Sequence, residues 1–208
     1  MSNGYFTVFG ETENTIVIER SKFICSIKGI ENEQEAKEYV DYIRKKYSIA
    51  NHNCYAYIAD NKGLIQKFSD AGEPQGTAGL PMLEVLKNKK MFKTVAVVTR
   101  YFGGIKLGTG GLTRAYGGSV SECLEKAKIL NMQEAVFAFV NIDYDGYSKL
   151  LKVSEDKNVS IVKTEYENTV KVELAVTKAY KDVFVNKISD AFNGKLSVEI
   201  KESGYYAF

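Results

Sequence analysis

The first third of the chain alternates between apolar and polar positions. Thr15 to Ile30 places Ile, Val and Phe at near-regular alternation, which predicts strand. Asn32 then opens a helix, with Glu35 three residues on completing a capping box. The period changes there to that of a helix. Ala36, Tyr39, Val40, Ile43 and Tyr47 fall on one face, while Glu33 and Glu35 at the start and Arg44, Lys45 and Lys46 at the end complement the helix dipole. Two more strands are predicted at Asn53 to Ala59 and Leu64 to Phe68, joined by the turn sequence Asp60-Asn61-Lys62-Gly63.

Ser69 to Pro81 reads as a loop, followed by a short helix around Met82 to Lys87 and an apolar strand from Thr94 to Thr99. From Leu112 a long helix is marked by one face of Leu112, Ala115, Tyr116, Ser119, Val120, Cys123, Leu124 and Ala127. Gly117 and Gly118 interrupt it. Each interior glycine costs up to about 1 kcal/mol against alanine, so a close approach of backbone or ligand is expected there.

Past Glu134 the glycines thin out, and a β-α-β-β-α-β pattern can be followed from Ala135 to the C-terminus, the order of a ferredoxin-like domain. Its first strand is Ala135 to Asp143. A helix begins near Asp145 with Tyr147, Leu150 and Leu151 inward, and a hairpin turns at Glu167-Asn168. Val170, Val172, Leu174 and Val176 line one strand face; Tyr180, Val183, Phe184, Ile188 and Phe192 line a second helix that Gly194 ends. The expectation is an α+β protein of two domains, residues 1–132 and 133–208.

Composition supports a folded chain: 208 residues, 45% hydrophobic and 26% charged, carry enough apolar side chains for one large core or two small ones. No stretch approaches the roughly 20 apolar residues of a membrane span, and Met1 to Gly10 lacks the regions of a signal peptide, so a cytoplasmic protein without membrane contact is expected. Cys25, Cys54 and Cys123 are far apart in sequence and form no C-x-x-C pair, which predicts reduced, buried thiols. The net charge of +2 conceals an uneven distribution. No Asp or Glu occurs from Val85 to Ser121, whereas Lys87, Lys89, Lys90, Lys93, Arg100, Lys106 and Arg114 do. An anionic partner is favoured wherever these cations share a face, the alternative being lysines that cap a helix.

Eleven of the 17 glycines and both prolines lie between Gly63 and Gly118, so chemistry is sought there first. A strand, then Arg100-Tyr101-Phe102-Gly103-Gly104-Ile105-Lys106-Leu107-Gly108-Thr109-Gly110-Gly111, then a helix N-terminus is an arrangement whose amides and dipole suit phosphate. The nucleotide signatures are incomplete, since Thr109-Gly110 stands where a Walker A loop needs Lys-Ser/Thr. His52 and Cys54 are two apart on one predicted strand and share a face, as a nucleophile pair or as a structural histidine beside a buried thiol. In the loop that ends with Thr77 and Gly79, Asp70 and Glu73 could form an acid/base pair or orient Arg100 or Arg114 through salt bridges. His52, Asp70 and Glu73 make a thin ligand set, and neither a metal nor a cofactor is expected.

The segments His52 to Tyr57, Ser69 to Pro81 and Val97 to Tyr116 together resemble the IMPACT/YigZ family, strongly over Thr15 to Ala127. Ala71 stands where members often carry a second aspartate, which weakens a two-carboxylate metal role. The resemblance implies a first domain like the second domain of ribosomal protein S5 and a small ferredoxin-like domain after it. It also implies a link to translational control, which eukaryotic relatives exert by binding a partner protein.

The leading expectation is therefore a non-enzymatic RNA- or ribosome-binding protein. Arg100, Lys106 and Arg114 would contact phosphates, Tyr101 or Phe102 would stack on a base, and Gly103, Gly104, Gly108, Gly110 and Gly111 would supply backbone. The second domain's strand Thr169 to Val176 lacks the aromatics of a standard RNA-recognition sheet. A regulator that binds a protein partner, and a hydrolase using the glycine-rich cleft, are the alternatives.

Overall fold

The structure, a computed structural model, describes residues 4–208; Met1–Asn3, the start of the first predicted domain, lie outside the described residues. The chain divides into two compact units, one spanning Tyr5–Leu130 and the other taking up Asn131–Phe208.

The first unit contains, in order, β1 (Tyr5–Val8), β2 (Glu11–Ile18), β3 (Ser21–Gly29), α1 (Glu33–Lys46), β4 (His52–Ile58), β5 (Gln66–Ser69), α2 (Gly79–Asn88), β6 (Thr94–Tyr101) and α3 (Gly108–Lys126). Its main sheet runs β2-β3-β6-β4-β5 with every neighbouring pair antiparallel. Alternation along the strands sends Phe23, Cys25, Cys54, Ala56, Ala96 and Val98 to a core under α2 and α3. Tyr57, Val95 and Val97 face the other way, against Ala36, Tyr39, Val40 and Ile43 of α1. That helix starts where expected: the Asn32 side chain accepts from the Glu35 N–H at 3.0 Å, and the Glu35 carboxylate reaches back to the Glu31 N–H at 3.1 Å.

The single strand predicted from Thr15 to Ile30 is in fact a hairpin. Ile18 pairs with Ser21, leaving Glu19 and Arg20 as a two-residue turn with φ of 45° and 64°. Positive φ at both central residues is the primed turn that matches strand twist, and non-glycine residues occupy it here.

On α3 the buried positions are Leu112, Ala115, Tyr116, Ser119, Val120, Cys123 and Leu124, the face read from the sequence, but the helix starts four residues earlier, at Gly108. Its two interior glycines differ. A Cβ on Gly117 would touch Val85 and Pro81 of α2 at 3.7 and 3.9 Å, whereas one on Gly118 would meet nothing within 4 Å. No close approach accounts for Gly118. Gly118→Ala should therefore raise stability by roughly 0.5–1 kcal/mol, read as a higher urea midpoint at unchanged slope.

The second unit carries β7 (Ile129–Ile142, whose first two residues belong to the first unit), α4 (Tyr144–Val153), β8 (Val159–Tyr166), β9 (Val170–Thr177), α5 (Lys181–Ala191) and β10 (Val198–Ala207). Within this unit the strands lie in the order β10-β7-β9-β8, each of these neighbouring pairs antiparallel. Val170, Val172, Leu174 and Val176 pack against Leu150, Phe184 and Ile188 of the two helices, while Val183, expected inward, is exposed. Asp143 caps α4 by accepting from the Gly146 N–H at 2.7 Å, and Gly194, at φ 70°, closes the end of α5 through its N–H to Ser189 O at 2.8 Å.

Candidate nucleic-acid interface

The site is built where β6 ends. Strand parity puts Arg100 on the same face as Ala96 and Val98, so its side chain enters the core rather than the solvent and is only 5% exposed. Its Nη1 donates to Glu73 Oε1 at 2.7 Å and its Nη2 to Ser21 Oγ at 3.3 Å. The guanidinium lies 5.3 Å from the centre of the Phe23 ring and 5.4 Å from that of Phe102. The phosphate contact expected of Arg100 is thus corrected: the cation is buried and its charge is spent on Glu73.

Glu73 is the hub. The same Oε1 accepts from the Tyr116 hydroxyl at 2.7 Å, and His52 Nε2 stands 3.9 Å away. Of the two roles open to this carboxylate, the geometry shows the arginine-orienting one. Asp70 serves the backbone instead. Its oxygens accept from the N–H groups of Gly76, Ala78 and Gly79 at 2.8, 3.0 and 2.9 Å, which caps α2 from eight residues upstream. Thr77 closes the same loop by donating its hydroxyl to Pro74 O at 2.6 Å.

His52 and Cys54 both point toward this loop, yet they do not form a poised nucleophile pair. His52 Nδ1 lies 3.0 Å from Ala71 O, and because a carbonyl only accepts, that nitrogen carries the proton. The Cys54 thiol donates to Asp70 O at 2.9 Å. Burial pushes its pKa up to about 12, with the carboxylates of Glu73 and Asp70 adding to the shift, so it stays a thiol. Burial, the Cys54 sulfur and Glu73 likewise raise the Tyr116 phenol far above its ordinary value and keep it a donor. Since Asp70, Glu73 and His52 Nδ1 are each committed to a partner, they form no open ligand set, and no group of three or more metal-type side chains occurs among the described residues.

Above this buried cluster runs the glycine-rich turn. Ser21 Oγ receives the Gly103 N–H at 3.1 Å, and Asn51 Oδ1 receives the Phe102 N–H at 2.8 Å. Neither Ser21 nor Asn51 was marked by the sequence, nor was Tyr116 as a site residue; all three are polar groups at the ends or inward faces of elements. Gly104 and Gly108 have φ of 87° and 69°, a conformation that favours glycine. Tyr101 is half-buried, Phe102 is 46% exposed beside the arginine, and Lys106, Thr109 and Gly110 are exposed. No side chain caps α3 and no acidic residue sits in its first turn. A Cβ on Gly110 would lie 3.6 Å from Arg114 Nη1, so that guanidinium folds back over the first turn. Lys106 and Arg114 make no salt bridge among the described residues, whereas Lys87 and Lys93 pair with Glu84 and Glu31. At this helix start the cations are Lys106 and Arg114, with Gly103, Gly104, Gly108, Gly110 and Gly111 in the turn and first helical residues, while Lys89 and Lys90 at the end of α2 are also exposed and make no salt bridge among the described residues.

The residues of this loop and cluster fall inside a match to the Impact N-terminal domain, which covers residues 19–124. This chain belongs to the IMPACT family. A second match, to a domain of unknown function, covers residues 140–195. The IMPACT family member YvyE of Bacillus subtilis (strain 168) is 41% identical over 99% of this chain and 94% of its own length. The IMPACT family member YigZ of Escherichia coli (strain K12) is 32% identical over 87% and 90%. A crystal structure of a hypothetical protein superposes with a TM-score of 0.60 at 29% identity, covering 97% of this IMPACT chain and 98% of the other.

Phe137 and Phe139 of β7 stand on the sheet face away from α4 and α5, aromatics the reading of Thr169 to Val176 did not reach. Lys201 covers the Phe139 ring at 4.4 Å, the Tyr206 ring meets Phe137 edge-on at 6.4 Å, and Lys163 and Lys201 pair with Glu165 and Glu199. No helix of the described residues is long and apolar enough to cross a membrane.

Proposed function

We propose that this protein is a non-enzymatic RNA- or ribosome-associated factor in the regulation of translation, and that the turn Phe102 to Gly111 with the start of α3 is its contact surface. One observation carries the reading: an uncapped helix N-terminus, free of acidic side chains, is flanked by the exposed Lys106 and by Arg114 folded over its first turn. Amides and dipole at such a terminus favour phosphate oxygens, and two unpaired cations beside it add sequence-independent affinity. Phe102 is 46% exposed, with the Arg100 guanidinium 5.4 Å from its ring centre, and offers an aromatic surface for stacking on a base. Membership in the IMPACT family supports the translation link. The strand order β10-β7-β9-β8 supports a ferredoxin-like second domain, and the antiparallel sheet backed by α2 and α3 is consistent with a first domain like the second domain of ribosomal protein S5.

Co-sedimentation with purified ribosomes and subunits over a salt series tests this reading. Wild type should bind saturably. Lys106→Ala/Arg114→Ala should weaken binding and lower the slope of log affinity against log salt by roughly 1.5, the loss of about two phosphate contacts. An unchanged slope would remove both residues from the interface.

A further inference from the structure

We infer that the free edge of β5 binds an extended segment of a partner protein as an added strand, and that the segment has an apolar-acidic-apolar core. β5 is the last strand of its sheet and, among the described residues, pairs only with β4. The Ala59 N–H donates to Ile65 O at 2.7 Å, which makes Ala59 and Ile65 a hydrogen-bonded pair. The register then continues Ile58 with Gln66, Tyr57 with Lys67 and Ala56 with Phe68. Because the ladder alternates, Gln66 and Phe68 turn their N–H and C=O groups away from β4, toward open solvent.

Natural sheet edges are usually blunted by charge, by bulges or by cover. This one is short and carries a single charge, Lys67, beside exposed apolar side chains. Leu64 is 75% exposed and Phe68 41%, with Ile65 and Leu80 also exposed. Phe68 is opposite Ala56, which belongs to the core under α2, so Phe68 lies on the α2 side of the sheet, whereas Ile65, two residues before Lys67 and opposite Ala59, falls on the other. Leu80 follows Gly79, whose Cα packs so closely on the Ser69 backbone that a Cβ would come within 2.8 Å of it. An apolar lip thus borders the free edge on that side. Lys67 points to the other side, next to Tyr57, near enough to Glu33 to help lower that carboxyl's pKa yet in no salt bridge among the described residues.

These positions define the occupant. A strand that hydrogen-bonds to both Gln66 and Phe68 lays two side chains on the apolar lip and one, between them, opposite Lys67. An acidic residue suits that middle place. A second copy of this chain does not, because the two-fold register that engages Gln66 and Phe68 of both copies sets Lys67 directly against Lys67. This surface is separate from the glycine-rich turn, and its recognition uses main-chain hydrogen bonds with alternate side chains rather than phosphate chemistry.

The test is selection of phage-displayed random dodecapeptides on the full chain, followed by amide spectra of the ¹⁵N-labelled protein with the synthetic form of an enriched peptide. Enrichment of apolar-Asp/Glu-apolar triplets and shifts at the Gln66 and Phe68 amides are expected. Lys67→Glu should switch the selected central residue to Lys or Arg. Gln66→Pro, which deletes an outward N–H and leaves the ladder to β4 intact, should weaken binding about tenfold. The inference is overturned if no peptide is enriched, if enriched peptides leave those amides unmoved, or if polyuridylate shifts them instead. Sedimentation velocity of the peptide-free chain adds a check, since a dimer abolished by Phe68→Asp would make a second copy the occupant and refute it too.

Discussion

Glu73→Ala should destabilise the first unit by about 3–5 kcal/mol, because it leaves the Arg100 guanidinium buried without its counter-charge. Two groups lose their shared acceptor at once, Arg100 and the Tyr116 hydroxyl, each at 2.7 Å. Desolvating the arginine is the largest cost, since its Nε already lacks a hydrogen-bond partner and only Ser21 would remain within reach. A thermal midpoint lowered by on the order of 10 °C or more is expected for the transition of this unit. The partner replacement separates charge from packing. Glu73→Ala/Arg100→Met removes the buried ion with its counter-ion and should recover a large part of the loss, as apolar replacement of buried pairs often does. Equal instability of the single and double variants would mean that Glu73 acts mainly by shaping its loop. The buried pairing also makes Arg100→Ala a poor probe of RNA contact, because it strands Glu73 and binding would fall with folding, whereas Lys106 and Arg114 can be removed from the surface.

The distinction between Arg100 and Arg114 was partly legible in the sequence. Ala96, Val98 and Arg100 are two apart on an apolar strand, and period two alone assigns the arginine to the inner face. The motif's position beside a glycine-rich turn made it look like part of the loop. The Glu73 carboxylate that makes burial tolerable is 27 residues away, and the sequence offered only a choice of arginines for it. Local signals performed well where the physics is local. Asn32 and Glu35 set the start of α1, Gly194 ends α5, and Asp60 holds the turn before β5 by accepting from Ile65 N–H at 2.9 Å. The start of α2 was missed for the opposite reason. Its cap, Asp70, is distant in sequence, and Pro81, which reads as a stop, is tolerated in a first helical turn. The Glu19-Arg20 turn carries neither glycine nor asparagine, so nothing in the residue types announces positive φ there.

Gly103→Ala should be the most damaging single-methyl change in the glycine-rich turn, and it tests how that turn is held to the sheet. A Cβ on Gly103 would come within 2.0 Å of the Arg20 carbonyl carbon and 2.4 Å of the Ser21 nitrogen, backbone atoms that cannot rotate aside. The Glu19-Arg20 turn occupies the space a side chain would need. Relief requires the loop or the hairpin to move, which breaks the bond from Gly103 N–H to Ser21 Oγ and draws Ser21 away from Arg100. A cost of about 3 kcal/mol, the upper part of the overpacking range, is expected in chemical denaturation. Gly110→Ala forms the contrast: its new methyl would meet only the Arg114 guanidinium at 3.6 Å, an ordinary contact, so folding should be nearly unchanged. If both variants unfold alike, the turn is not anchored through the hairpin. If Gly103→Ala folds stably yet loses ribosome co-sedimentation, the hairpin sets the position of the Phe102 to Gly111 turn rather than the stability of the fold. Ser21, which joins the hairpin to both Arg100 and Gly103, then becomes the link between the buried ion pair and the exposed cations.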